Sequence, residues 1–181
     1  MDGDNKNLTF LEHAVDEIKD YILSDQLFWP MGSDRLTIGV LLLALQRLKT
    51  TDQGSDQKLS EMETKIAAFR IQWRTNWSNK ALLEFKSRLR QWELALSELL
   101  SKDQEPPVLY RHEVTLRVLL EILCGEMIQP DTQDIAHMNL LDQKLRSAST
   151  RHGFVWEPAL EEGFPEQTYW YLYVLPRRRA R

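Results

Sequence analysis

Residues 57–101, QKLSEMETKIAAFRIQWRTNWSNKALLEFKSRLRQWELALSELLS, carry the pattern on which the fold turns. Leu59, Met62, Ile66, Phe69 and Trp73 recur with a near-heptad step, and Leu82, Phe85, Leu89, Trp92, Leu96 and Leu99 do the same in a shifted phase. An i+4 series, Trp73, Trp77, Ala81 and Phe85, joins the two phases as a stutter does. Two structures fit the junction Trp73-Arg74-Thr75-Asn76-Trp77-Ser78-Asn79: one long helix, continuous or kinked, or a break after which Ser78 caps a new helix. No Pro or Gly lies between Gly54 and Pro106, so the continuous or kinked helix is preferred.

Upstream, Thr50 to Asp56 reads as a loop around Gly54. Before it, the dense apolar segment Ile38–Leu45 predicts a helix buried nearly all round, starting from a Ser33 or Asp34 cap and ending near Lys49. Phe28-Trp29-Pro30-Met31-Gly32-Ser33 interrupts the chain, because the residue before proline disfavours helix and Gly32 tolerates positive φ. From Leu8 to Leu27, Leu8, Leu11, Val15, Ile18 and Ile22 share one helical face, while Glu12, Asp16 and Asp20 line a wet acidic side.

Downstream, Pro106-Pro107 breaks the long helix, and Val108–Met127 predicts another, with Gly125 near its end and Pro130 closing it. Asp131–Ser149 makes a shorter one through Ile135, Met138, Leu141 and Leu145. The C-terminal segment differs in kind. Phe154-Val155-Trp156 and Thr168-Tyr169-Trp170-Tyr171-Leu172-Tyr173-Val174 have strand-like composition and predict a small hairpin, with a short helix opened at Pro165-Glu166 as the alternative. The expected fold class is therefore mainly all-α. It is a bundle of about five or six helices in a single domain over residues 1–181, with an aromatic cap at 150–176 and a basic tail at 177–181.

At 181 residues and 43% hydrophobic content, the chain is large enough to fold around its own core without a metal or disulfide. Its only cysteine, Cys124, excludes an internal disulfide and fits a reducing compartment, so a cytoplasmic location is expected. The start Met1-Asp2-Gly3-Asp4-Asn5-Lys6 has no secretory pattern, and the longest apolar run is far short of the ~20 residues needed to span a bilayer. Membrane partners are thus not expected.

Charge is segregated within a net of −4: residues 1–34 carry eight acids against Lys6 and Lys19, whereas 70–90 carry six cations against Glu84. The two segments are suited to neutralise one another.

Three candidate metal sets stand out in the sequence: His13 with Asp16 and Glu17, Asp134 with His137, and His112 beside Glu113. None has the paired Glu-x-x-His units of a di-iron bundle or the second histidine of a zinc protease helix. There is no Gly-x-Ser-x-Gly elbow and no glycine-rich phosphate loop, and Cys124 sits near an apolar helix face. No catalytic residue, metal or cofactor is expected. Arg70, Arg74, Trp77, Lys86, Arg88 and Arg90 interleave cations with an indole, the combination that binds single-stranded nucleic acid. The leading expectation is nevertheless a non-enzymatic helical interaction or assembly protein with a protein partner or self-association, since tryptophan and arginine are enriched at binding hot spots. A nucleic-acid-binding subunit using the basic helix is the alternative, and a small-ligand-binding bundle the third reading.

Overall fold

Helix-forming periodicity translates into a mainly α-helical chain in the computed structural model, which describes residues 2–51, 57–101 and 107–177. Residues 52–56 of the expected loop, Pro106 of the expected break and residues 178–181 of the basic tail lie outside the described residues. The elements run α1 (Asp2–Leu23), β1 (Trp29–Met31), β2 (Asp34–Leu36), α2 (Ile38–Thr51), α3 (Gln57–Gln72), α4 (Arg74–Ser101), α5 (Pro107–Cys124), α6 (Thr132–Ala148), β3 (Ser149–Arg151), α7 (Glu166–Tyr169) and β4 (Val174–Pro176). Two 3-10 turns, Pro158–Gly163 and Trp170–Tyr173, flank α7. Among the described residues no helix is long and apolar enough to cross a membrane.

The chain divides into two compact units, one of residues 1–84 with 122–128, the other of 85–121 with 129–181. In the first, α1 packs on α2 and α3. Leu11, Val15, Ile18 and Ile22 are buried on the predicted face, and Asp16 and Asp20 remain exposed on the other. Burying each such aliphatic side chain stabilises the unit by roughly 1.5–3 kcal/mol before entropy is counted. As expected, Ile38, Leu41, Leu43, Ala44 and Leu45 of α2 are all buried, with Val40 and Leu42 half-buried.

Between α1 and α2 the structure holds an antiparallel hairpin that the sequence reading lacks. Trp29 pairs with Leu36, Pro30 with Arg35 and Met31 with Asp34, leaving Gly32-Ser33 as a two-residue turn. Gly32 has φ 59°, the positive value that such turns require at their first central position. Because Asp34 is in a strand, the expected Ser33 or Asp34 cap is corrected to Thr37: its Oγ1 accepts the Val40 N–H at 3.2 Å.

The long helix over 57–101 is present with one interruption, at Trp73, so the junction is a kink and not a loop. Backbone bonds continue on either side of it: the Trp73 N–H donates to the Phe69 carbonyl at 2.9 Å and the Trp77 N–H to the Trp73 carbonyl at 2.8 Å. Ser78 lies inside α4 and caps nothing; its Oγ accepts the Ile128 N–H at 2.8 Å. The bridging series reads out as packing, with Trp77, Ala81 and Phe85 fully buried and Trp73 half-buried.

In the second unit, Leu89, Trp92, Leu96 and Leu99 of α4 are core residues together with Val114 and Val118 of α5 and Met138, Leu141 and Leu145 of α6. Asp131 caps α6, its Oδ1 accepting the Gln133 N–H at 2.9 Å. The expected C-terminal antiparallel pair is present, but its strands lie at Ser149–Arg151 and Val174–Pro176, while the Val155 N–H donates to the Leu172 carbonyl at 2.9 Å without forming a ladder at 154–156 and 168–173. Tyr171, Leu172 and Tyr173 are consecutive and all buried, which a strand facing alternate sides does not permit, and the run coils into α7 and the following 3-10 turn after Pro165. The strands lie just outside it, Ser149 opposite Pro176 and Arg151 opposite Val174. Phe164 is fully buried between Trp156 and Tyr169, at ring-centroid distances of 5.2 and 5.0 Å in edge-to-face geometry. The Tyr110 hydroxyl of α5 donates to the Tyr171 carbonyl at 2.7 Å and ties the cap to its helix.

Candidate functional site

One face of α1 and the β1–β2 hairpin enclose a groove of about 820 Å³ in the first unit. Helical spacing puts Thr9, His13 and Asp16 along one wall, at i, i+4 and i+7, with Phe10 and Glu17 beside them. Met31, Gly32, Ser33 and Asp34 form the opposite wall, and Lys6 stands at one end. Two contacts fix the hairpin on the helix: the Trp29 Nε1–H donates to Glu17 Oε2 at 3.0 Å, and the Lys6 ammonium lies 3.7 Å from Asp34 Oδ1. The second pair is loose, since the Lys6 side chain is 73% exposed. Phe10 is buried and Met31 half-buried, so Met31 carries the accessible apolar surface between the polar rims. A side chain added at Gly32 would meet nothing within 4 Å, so the hairpin tip faces open space.

Elsewhere several buried charged groups are paired inside their unit. Glu84, with no exposed surface, accepts the Thr37 hydroxyl at 2.6 Å and the Gly39 N–H at 2.8 Å, placing a carboxylate at the positive end of α2. Glu126 accepts the Trp77 indole N–H at 2.8 Å and the Arg70 Nε–H at 2.8 Å. Lys80 sits at the C-terminal end of α1, 4.6 Å over the Tyr21 ring, and donates to Ser24 Oγ at 3.3 Å and to the Gln26 carbonyl. Burial pushes its ammonium below the usual lysine value, with Asp25 opposing. Lys80 thus meets the acidic segment through neutral acceptors and the Tyr21 ring, while Arg70 and Lys86 pair with Glu126, Asp131 and Asp134 outside it.

In the second unit, Arg117 is 3% exposed and grips Asp142 through Nε at 2.8 Å and Nη2 at 2.9 Å. Its Nη1 donates to Glu121 at 2.9 Å, and its guanidinium lies 4.5 Å from the Tyr171 ring centre. Burial alone would lower the Arg117 pKa, but the Asp142 hydrogen bond and the surrounding charges raise it on balance. Burial also holds the Tyr110 and Tyr171 hydroxyls well above the ordinary tyrosine range. These interactions tie elements together within each unit.

The sequence-predicted site residues are distributed as follows. Trp77 has no exposed surface, so it offers no stacking face, and Arg70 shares Glu126 with it. Lys86 lies 3.5 Å from both Asp131 and Asp134, and Arg88 donates to Gln91 at 3.2 Å. Arg74 and Arg90 are exposed. Of the metal candidates, Asp134 pairs with Lys86 and His137 with Glu93 at 3.1 Å, while His13, Asp16 and Glu17 all line the groove. No group of three or more potential metal ligands occurs among the described residues.

Sequence reasoning passed over Glu84, Glu126 and Arg117. A signal existed for two of them: Glu84 is seven residues from Trp77 on the same apolar face, and Arg117 is embedded between Val114, Val118 and Leu120. No protein-family model matches the chain, and neither a curated protein nor a solved structure matches it.

Proposed function

We propose that this chain is a non-enzymatic helical interaction protein that engages a protein partner at the groove between α1 and the β1–β2 hairpin. The observation that carries this reading is the groove's form: a concave surface with half-buried Met31, beside the buried Phe10, between rims of exposed polar side chains. Interfaces share that anatomy, an apolar centre inside a polar rim.

The test is capture from native-host lysate by the tagged chain and by Thr9→Trp, which fills the groove from an exposed position, each with and without nuclease. A partner retained by the native chain after nuclease and lost from Thr9→Trp is the expected result. Identical partners on both proteins would overturn the groove as the site. Partners released by nuclease would instead favour the exposed arginines Arg74 and Arg90.

A further inference from the structure

We infer that the groove takes a basic peptide segment of the partner, a lysine or arginine flanked by an apolar side chain; this rests on the interaction reading above. Three carboxylates, Asp16, Glu17 and Asp34, line it against the single cation Lys6. Asp34 is weakly held by Lys6, and Glu17 accepts one indole hydrogen bond, so both retain acceptor capacity. Charge complementarity of this sign selects cations and repels acidic chains. Half-buried Met31, between the carboxylates, supplies surface for an apolar neighbour.

An extended chain fits better than an enclosed small molecule. The volume lies in the usual range for ligand sites, about 300–1,000 Å³, but such sites bury most of their ligand. Here Thr9, His13, Asp16, Glu17, Gly32 and Ser33 are all exposed, so the trough is open along its rims. A peptide laid across it would bury one side and leave the other to solvent.

The experiment is fluorescence anisotropy with dye-labelled synthetic peptides, one of alternating Lys and Leu and one of alternating Glu and Leu, against the full chain, Asp16→Lys and Thr9→Trp. The basic peptide should bind the native chain, weaken on addition of salt, and lose about tenfold or more in affinity to Asp16→Lys, with the acidic peptide unbound. Circular dichroism checks that both variants stay folded. Equal affinity for the native chain and Asp16→Lys, or equal binding of both peptides, would overturn the inference. If the basic peptide fails while Thr9→Trp still abolishes capture of the lysate partner, the groove remains the site and only the cationic class falls; if Thr9→Trp changes neither, both fall.

Discussion

Replacing Glu84 tests the reading that α4 organises the start of α2 in the first unit. The side chain is inaccessible and its two oxygens accept from Thr37 Oγ1 at 2.6 Å and Gly39 N at 2.8 Å. Hydrogen bonds to a charged group contribute about 1.5–3 kcal/mol each, and a carboxylate at a partly buried helix N-terminus up to ~2 kcal/mol more. Glu84→Gln keeps the shape and one acceptor oxygen, but turns an amide N–H₂ toward the other donor. A loss of about 2–3 kcal/mol is expected. Glu84→Ala also leaves both donors without an acceptor and opens a void, so about 3–5 kcal/mol is expected. For a chain of this length each kcal/mol corresponds to roughly 2–4 °C in Tm, so Glu84→Gln should melt roughly 4–12 °C below the native chain. Urea denaturation followed by far-UV circular dichroism gives the free energy, and amide exchange at Gly39 localises it, since that N–H should lose protection first. Stability within about 0.5 kcal/mol of the native chain, with Gly39 protection unchanged, would refute the reasoning.

Three further expectations follow from the structure. Arg117→Met should cost about 3–5 kcal/mol by stranding Asp142, whereas Arg117→Met with Asp142→Leu should recover most of it, and additive losses in urea denaturation would refute the pairing. Asp131 has its pKa lowered, first by the Gln133 backbone N–H and then by Lys86, so its contribution is present above the unfolded carboxylate value of about 3.9 and is lost as pH falls through the lower folded value. The stability difference between the native chain and Asp131→Ala should therefore be constant near neutrality and vanish in acid; a difference that grows on acidification would contradict the cap. Ile71→Lys, at a position 78% exposed, should alter stability by no more than about 0.5 kcal/mol in the same assay, and a larger loss would show that this face is packed.

Helices were the legible part of this sequence because each buries a stripe that repeats over several turns. The Trp73, Trp77, Ala81, Phe85 series located the place where α3 gives way to α4, and Asp131, expected as the first helical residue, is the N-cap of α6 one position before its start at Thr132. The short strands were not legible in the same way. Each is three residues long, too short for alternation to emerge, and β1 contains Pro30, which argues against a strand until the hairpin edge is seen. In the cap, composition suggested pleated structure for 168–174, but burial of successive aromatic rings on short helical turns outweighed β propensity. The groove was half legible. His13, Asp16 and Glu17 stood out by spacing on α1, and Gly32 by its permitted φ, yet their juxtaposition depends on tertiary contacts between Trp29 and Glu17 and between Lys6 and Asp34. Buried charges were the least legible, because a helix pattern identifies which face is inside but not which polar groups meet there.

The most direct test of the central claim is hydrogen–deuterium exchange of the chain alone and in complex with the partner captured from lysate. The account predicts added protection concentrated in residues 6–17 and 29–36, the two walls of the groove; protection confined to the segments around Ile71, Arg74 or Arg90, with those walls unchanged, would contradict it.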